Sequence, residues 1–286
     1  MDRKAIFKKL DCIEDLPTLP LIAMEVNKML QDYNTPIGKL NELIKNDPAM
    51  VPRILKLVNS SFYGFNSKIA NIDRAIILLG FNTISNAIVS VAIIDTLSIK
   101  GSLDDFQMKD FWEHSVAVAV ISKYLSEKNH LCLPEEAFTG GLLHDIGKLI
   151  LSQYFPDIFN KVIISAKENN TTFYNAEKKE ILFTHAELGA FMADKWNLPD
   201  RLVDTIKYHH AVRRSVKDIN LLMTVHIADF ISNYFLHNSD EKFDPALIHP
   251  EALLAMKPQL ETLQDWLPEV RENIASACQF FIEEGR

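Results

Sequence analysis

Glycine is scarce in this 286-residue chain, at 9 residues, and proline is modest at 12, so the turn signals that punctuate sheets are few. That shortage leans away from β architecture. Basic charge is also in deficit: 30 Lys and Arg against 38 Asp and Glu leave a formal net charge of −8. Nonspecific nucleic-acid affinity comes from clustered Lys and Arg on phosphates, so general nucleic-acid binding is not expected. No uninterrupted apolar run reaches the roughly 20 residues needed to cross a bilayer, and residues 1–9 lack the apolar core of a signal peptide. No membrane span is therefore expected. Cysteine is limited to Cys12, Cys132 and Cys278, an odd number without C-x-x-C spacing, as for reduced thiols in a cytoplasmic protein. What is present, 48% hydrophobic and 24% charged residues, is the mix of a folded globular chain.

Helix punctuation recurs along the chain. Thr35-Pro36 and Asp47-Pro48 each place an N-cap residue before a proline at the first helical position. Ile37, Leu40, Leu43 and Ile44 follow at helical spacing, as do Ile54, Leu55 and Val58, with Pro52 one turn inside the second helix, where it can kink it. The pattern lapses over 59–65, resumes over 72–79, stops at Gly80 and resumes over 83–97. Gly101 to Asp105 is the most linker-like stretch and sets a subdomain boundary near residue 101. Further helices are expected over 106–127, from Pro134 to about Phe155, after a capping box at Thr184 and Glu187, from Pro199 to His209-His210, over 220–235, and in the tail after Pro250. No strand alternation stands out. The fold class is all-α.

Several polar residues fall on apolar helical stripes. His114 follows Phe111 by three positions and precedes Val118 and Ile121 by four and seven. Asp145 sits between Leu142 and Leu149 in the same way; Leu202, Val203 and Ile206 lead to His209 and His210, and Leu222 and Val225 lead to Asp229. One such histidine alone is accounted for as a hydrogen-bonded core residue. The set is harder to place, because a buried carboxylate needs a partner and few cations share those faces, Lys148 being the one nearest Asp145. A shared metal site satisfies more of these groups at once. Imidazole and carboxylate without thiolate suit a divalent transition metal (Fe, Mn, Zn or Ni), as one or two ions, and disfavour a structural zinc site. Adjacent His144 and Asp145 differ by about 100° around a helix. They would meet only on an ion at its flank, where a carboxylate can bridge two ions and leave water positions open.

His114, His144-Asp145 and Asp229 occur in the order H…HD…D and so resemble the HD metal-dependent phosphohydrolase superfamily. Gly140 to Lys148, read as GGLLHDIGK, resembles the HD-plus-GK form of its signalling branches, and His185, Trp196 to Pro199 and His209-His210 resemble the added histidines of the dinuclear and trinuclear versions. His226 to Asp229 resembles the final motif. In the N-terminal half, LPTLP at Leu16 to Pro20, NDPA at Asn46 to Ala49, LVNSSFYG at Leu57 to Gly64 and IDRAIILLG at Ile72 to Gly80 are similar in order and spacing to the HDOD domain, the HD-related output domain of bacterial signalling proteins. The resemblance covers roughly residues 15–235. It implies an N-terminal helical bundle packed on an HD-like metal-binding helical core; with the boundary near residue 101 these are 1–101 and 102–240, and the helical pattern after Pro250 makes 241–286 a helical tail.

The resemblance also implies metal ligands at His114, His144, Asp145, His185, His209, His210 and Asp229. Asp145 and Lys148 are then the residues expected to carry chemistry, the lysine as a point charge for a phosphate. Relatives that hydrolyse cyclic di-GMP carry an acidic residue and Gly-Tyr-Pro after the paired histidines, where this chain has Ala211-Val212-Arg213-Arg214, so that reaction is not expected. Two functions stay open. One is a metal-dependent phosphohydrolase or phosphodiesterase acting on a phosphate ester or nucleotide. The other is a non-catalytic signalling module whose metal holds the fold, with a protein partner on another surface such as the Phe62, Tyr63 and Phe65 loop. The favoured reading of that loop is an aromatic plug between subdomains.

Overall fold

Every element among the described residues is helical, as the composition and periodicity predict. A computed structural model describes residues 8, 10, 16–32, 34–47, 49–59, 68–97, 107–236 and 248–283. Helices α1 (Leu21–Gln31), α2 (Ile37–Lys45) and α3 (Met50–Val58) pack on α4 (Ile72–Leu97) to form the N-terminal bundle. The second body comprises α5 (Met108–Asn129), α6 (Pro134–Leu143), α7 (Ile146–Tyr154), α8 (Pro156–Glu168), α9 (Phe173–Glu180), α10 (His185–Lys195), α11 (Asp200–Tyr208) and α12 (Ile219–Ile231). The tail adds α13 (Pro250–Ala255), α14 (Lys257–Glu261) and α15 (Leu263–Cys278), and π-helical turns follow α12 and α15. Central α5 packs on α6, α12 and α15, and one hydrophobic cluster runs from Leu10 to Ile282.

The bundle and the second body are joined by polar contacts as well as by apolar packing. The Trp196 indole donates to the Pro17 carbonyl at 2.8 Å, and the Asn27 amide donates to the Asn197 carbonyl at 2.6 Å. The LPTLP segment thus seats on the turn after α10. Nearby, Thr139 of α6 donates to Asn86 of α4 at 3.1 Å. The capping box forms as expected: the Thr184 hydroxyl accepts from the Glu187 amide, and the Glu187 carboxylate accepts from the Thr184 amide.

Several expectations change. By length and composition α4 is apolar enough to cross a membrane, with a mean hydropathy of 2.0 in its most apolar window, although polar residues interrupt the run in sequence. Within that window 67% of residues are buried, and α1, α2, α3 and α6 pack on the helix. It is also broken at Gly80, whose φ of 84° and ψ of 165° leave helical space, as the pattern predicts. Thr35 does not cap α2, which begins at Ile37 with Pro36 in extended geometry. Asp47 does accept from the amides of Ala49 and Met50, and α3 starts at Met50. Pro52 is then its third residue, where an amide has no intrahelical partner, so no helical bond is lost. Residues 156–183, unassigned by pattern, supply α8 and α9. The aromatic loop residues Phe62, Tyr63 and Phe65, the stretch around residue 101, the boundary at 240 and Cys12 lie outside the described residues, while Cys132 and Cys278 form no disulfide among the described residues.

The largest change concerns the helix expected from Pro134 to Phe155. It stops at Leu143 and restarts at Ile146, with Asp145 at φ −103° and ψ 5° between the halves. The second half, α7, packs on α10 through Gly147. A Cβ there would lie 1.8 Å from the His185 carbonyl oxygen and 2.6 Å from the Gly189 nitrogen. Backbone meets backbone at this point, so no side chain can yield. Gly147→Ala is expected to destabilise the chain by about 3 kcal/mol or more, while Gly38→Ala, whose Cβ meets nothing within 4 Å, is expected to be neutral or mildly stabilising. Chemical denaturation of the two variants checks this, and equal stability would refute the close-approach reading.

Candidate metal centre

All seven predicted ligands converge. His114 comes from α5, His144 and Asp145 from the α6–α7 break, His185 from the first position of α10, His209 and His210 from the turn after α11, and Asp229 from α12. They form two groups of candidate ligand atoms: Asp145, His185, His209 and His210 in one, and His114, His144 and Asp229 in the other. Asp145 faces both. Its Oδ1 lies 3.0 Å from His185 Nε2 and 3.6 Å from His209 Nε2, while its Oδ2 lies 3.4 Å from His144 Nε2 and 3.8 Å from His114 Nε2. Asp229 Oδ1 lies 3.2 Å from His114 Nε2 and 3.6 Å from His144 Nε2, and its Oδ2 lies 3.8 Å from His210 Nδ1. The helix break replaces the expected flank geometry and turns both His144 and Asp145 inward.

The imidazoles are held from behind. His144 Nδ1 meets the Gly141 carbonyl at 2.6 Å, His209 Nδ1 the Ile206 carbonyl at 2.7 Å, and His185 Nδ1 the Glu177 carboxylate at 2.7 Å. A ring whose Nδ1–H donates to an oxygen presents the bare Nε2 lone pair forwards, the usual arrangement of a metal-ligating histidine. His144 Nε2, His209 Nε2 and Asp145 Oδ1 are buried without a hydrogen-bond partner. Leaving such atoms unmatched is costly. The donor set, imidazole nitrogen and carboxylate oxygen converging in a buried space, fits a divalent transition metal.

Electrostatics sort the groups. Burial alone would raise the Asp145 and Asp229 carboxyls, but Lys148 and the imidazoles around Asp145, and His114 and His144 around Asp229, hold both well below the usual range. Burial opposes charge on His144, yet Asp145 and Asp229 outweigh it and lift its pKa to about 10. His209 goes the other way: burial, with His144 and His185 as neighbours, lowers it to about 4, and burial likewise pushes His210 well down. Lys148 ion-pairs with Asp145 Oδ2. Burial disfavours its charge, but Asp145, Asp229 and Glu177 keep it protonated. It coordinates nothing and places a positive charge at the edge of the centre.

Two supporting residues lie outside the predicted ligand set. Glu177, fully buried on α9, accepts from the His185 amide and from its ring, both at 2.7 Å. Its only sequence signal is helical spacing from Tyr174 to Ile181, three positions before and four after. His226 donates from Nδ1 to the His209 carbonyl at 2.7 Å and accepts the His249 amide at 3.1 Å, tying the ligand turn to the start of α13.

Fold and site together define an all-helical protein with a buried His/Asp group suited to a divalent metal. The chain belongs to the HDOD family, whose domain model matches residues 16–212. Asp229 falls beyond that match, and α12 brings it to the site. A protein of Treponema pallidum without assigned function is 28% identical over 221 residues; the match takes in 77% of this chain but only 42% of that relative. Among solved structures, an HDOD domain protein of unknown function from Geobacter sulfurreducens has a TM-score of 0.82 at 24% identity, covering 98% of each chain. A candidate phosphohydrolase from Shewanella amazonensis has a TM-score of 0.76 at 24% identity over 97% of this chain and 98% of its own, and a candidate metal-dependent phosphohydrolase from the same organism scores 0.64 at 19% over 97% of each. These likenesses establish the fold.

The charge pattern has a consequence for metal uptake. With a pKa of about 10, metal-free His144 carries its proton at neutral pH, and a metal must displace it from Nε2. His209, at about 4, is already neutral and releases none. Zinc or manganese binding at pH 7 is therefore expected to release at least one proton, with affinity rising about tenfold per pH unit per proton as pH rises towards 10. Calorimetric titration in two buffers of different ionisation enthalpy measures this. Identical heats in both would contradict it.

Proposed function

We propose that this chain binds two divalent transition-metal ions and hydrolyses phosphoesters as part of a bacterial signalling system. The observation that carries the reading is Asp145, one carboxylate whose two oxygens face two separate ligand groups. Seven protein donors are more than one six-coordinate ion can take, whereas spread over two ions they leave several positions open. Bound ions supply Lewis acidity towards a phosphoryl oxygen and lower the pKa of water. The protein's own part is to fix the donors in one orientation. Glu177 and the Gly141 and Ile206 carbonyls hold the rings, and burial keeps bulk water from competing. Lys148 holds a positive charge at Asp145, where it can meet a phosphate oxygen.

Membership of the HDOD family supports the signalling part of this reading. A non-catalytic module with a structural metal is the alternative, and one observation favours it: Lys148 already engages Asp145 Oδ2, one of the oxygens a second ion needs. Turnover separates the two. Metal-replete protein is expected to cleave a generic aryl phosphodiester weakly but measurably, and Asp145→Ala to lower the rate at least about 100-fold, the scale of losing a group that organises the reacting centre. Equal rates, with the wild type fully loaded, would leave only the signalling module.

A further inference from the structure

A cleft of about 390 Å³ opens between α9 and the turn after α11, beside the metal centre, within the range of small-ligand sites. Tyr174 forms a wall common to both. Its ring packs 4.5 Å from the His210 ring and lines the cleft with Tyr208. Three cations surround these rings: Lys178 lies 5.3 Å from the Tyr174 centroid, and Lys207 and Arg213 lie 5.2 Å and 5.1 Å from that of Tyr208. None of the three makes an ion pair among the described residues, although the chain as a whole carries −8. The acid in the lining, Glu187, is engaged by the capping box at Thr184. The adjacent Arg214 is taken by Glu251, so of the two arginines after the paired histidines only Arg213 is left to the cleft.

Unpaired cations concentrated in an acidic protein call for an anion. Tyrosine faces and a guanidinium plane also offer flat surface to a ring. We infer that this cleft is the specificity subsite of the metal centre and takes a mononucleotide-class ligand, a phosphate ester carrying a planar heteroaromatic ring. The assignment as a substrate subsite rests on the hydrolase reading; the binding itself does not. In the turn after the paired histidines, Ala211 and Arg213 thereby acquire a role in ligand choice.

Equilibrium binding of GMP, AMP, guanosine and inorganic phosphate to the metal-free 286-residue chain tests the inference without turnover. At least one nucleotide is expected to bind tenfold or more tightly than both guanosine and phosphate. Lys207→Glu and Arg213→Glu should each weaken it at least tenfold while metal content on reconstitution matches the wild type. Wild-type affinity in both variants would overturn the cleft, and phosphate binding as tightly as the nucleotides would overturn the role of the rings. Nucleotide binding by a chain that takes up no metal would support the cleft and overturn the hydrolase reading alone.

Discussion

Asp145 is the constraint on which the rest of the site depends. It is 1% exposed and faces imidazoles on both sides, with Lys148 on one of its oxygens. A carboxylate so placed is tolerable only while positive charge, from protonated histidine or from metal, surrounds it. That requirement explains the divided response of the histidines. His144 holds a proton between Asp145 and Asp229, while His209 and His210, crowded by other imidazoles, do not.

The backbone serves the same end. One helix from Pro134 to Tyr154 would send His144 and Asp145 in directions about 100° apart, and the break between Leu143 and Ile146 removes that conflict. The restarted α7 must then lie against α10 to bring His185 to Asp145, and Gly147 permits an approach no Cβ would allow. Behind the candidate ligands, Glu177 and His226 tie the site to α9 and to the tail, so a metal held there would be coupled to the packing of peripheral helices.

Much of this was legible in the sequence because helices place polar residues on apolar stripes at a fixed period. His114 and Asp229 sit inside continuous helices, and their inward direction could be read from Phe111, Val118, Leu222 and Val225. The helix break was not legible, since apolar spacing from Leu142 to Leu149 carries straight through the departure from helical geometry at Asp145. Glu177 was hidden for a different reason. It lies on a short polar helix beside Lys178 and Lys179, a pattern identical to a solvated face, and only its contact with His185 shows it buried. Membrane-scale hydropathy in α4 was missed because Gly80, Asn82 and Asn86 interrupt the apolar run, whereas helix length and mean hydropathy do not register the interruptions.

The central claim is that one carboxylate serves two ions. Crystals of protein reconstituted with manganese or iron, measured at the metal's absorption edge, test it most directly. Two anomalous peaks about 3.5–4 Å apart, with Asp145 between them and His185, His209 and His210 on one side, are the expected result. A single peak saturated by protein donors, or no peak in crystals grown with the metal in excess, would contradict it.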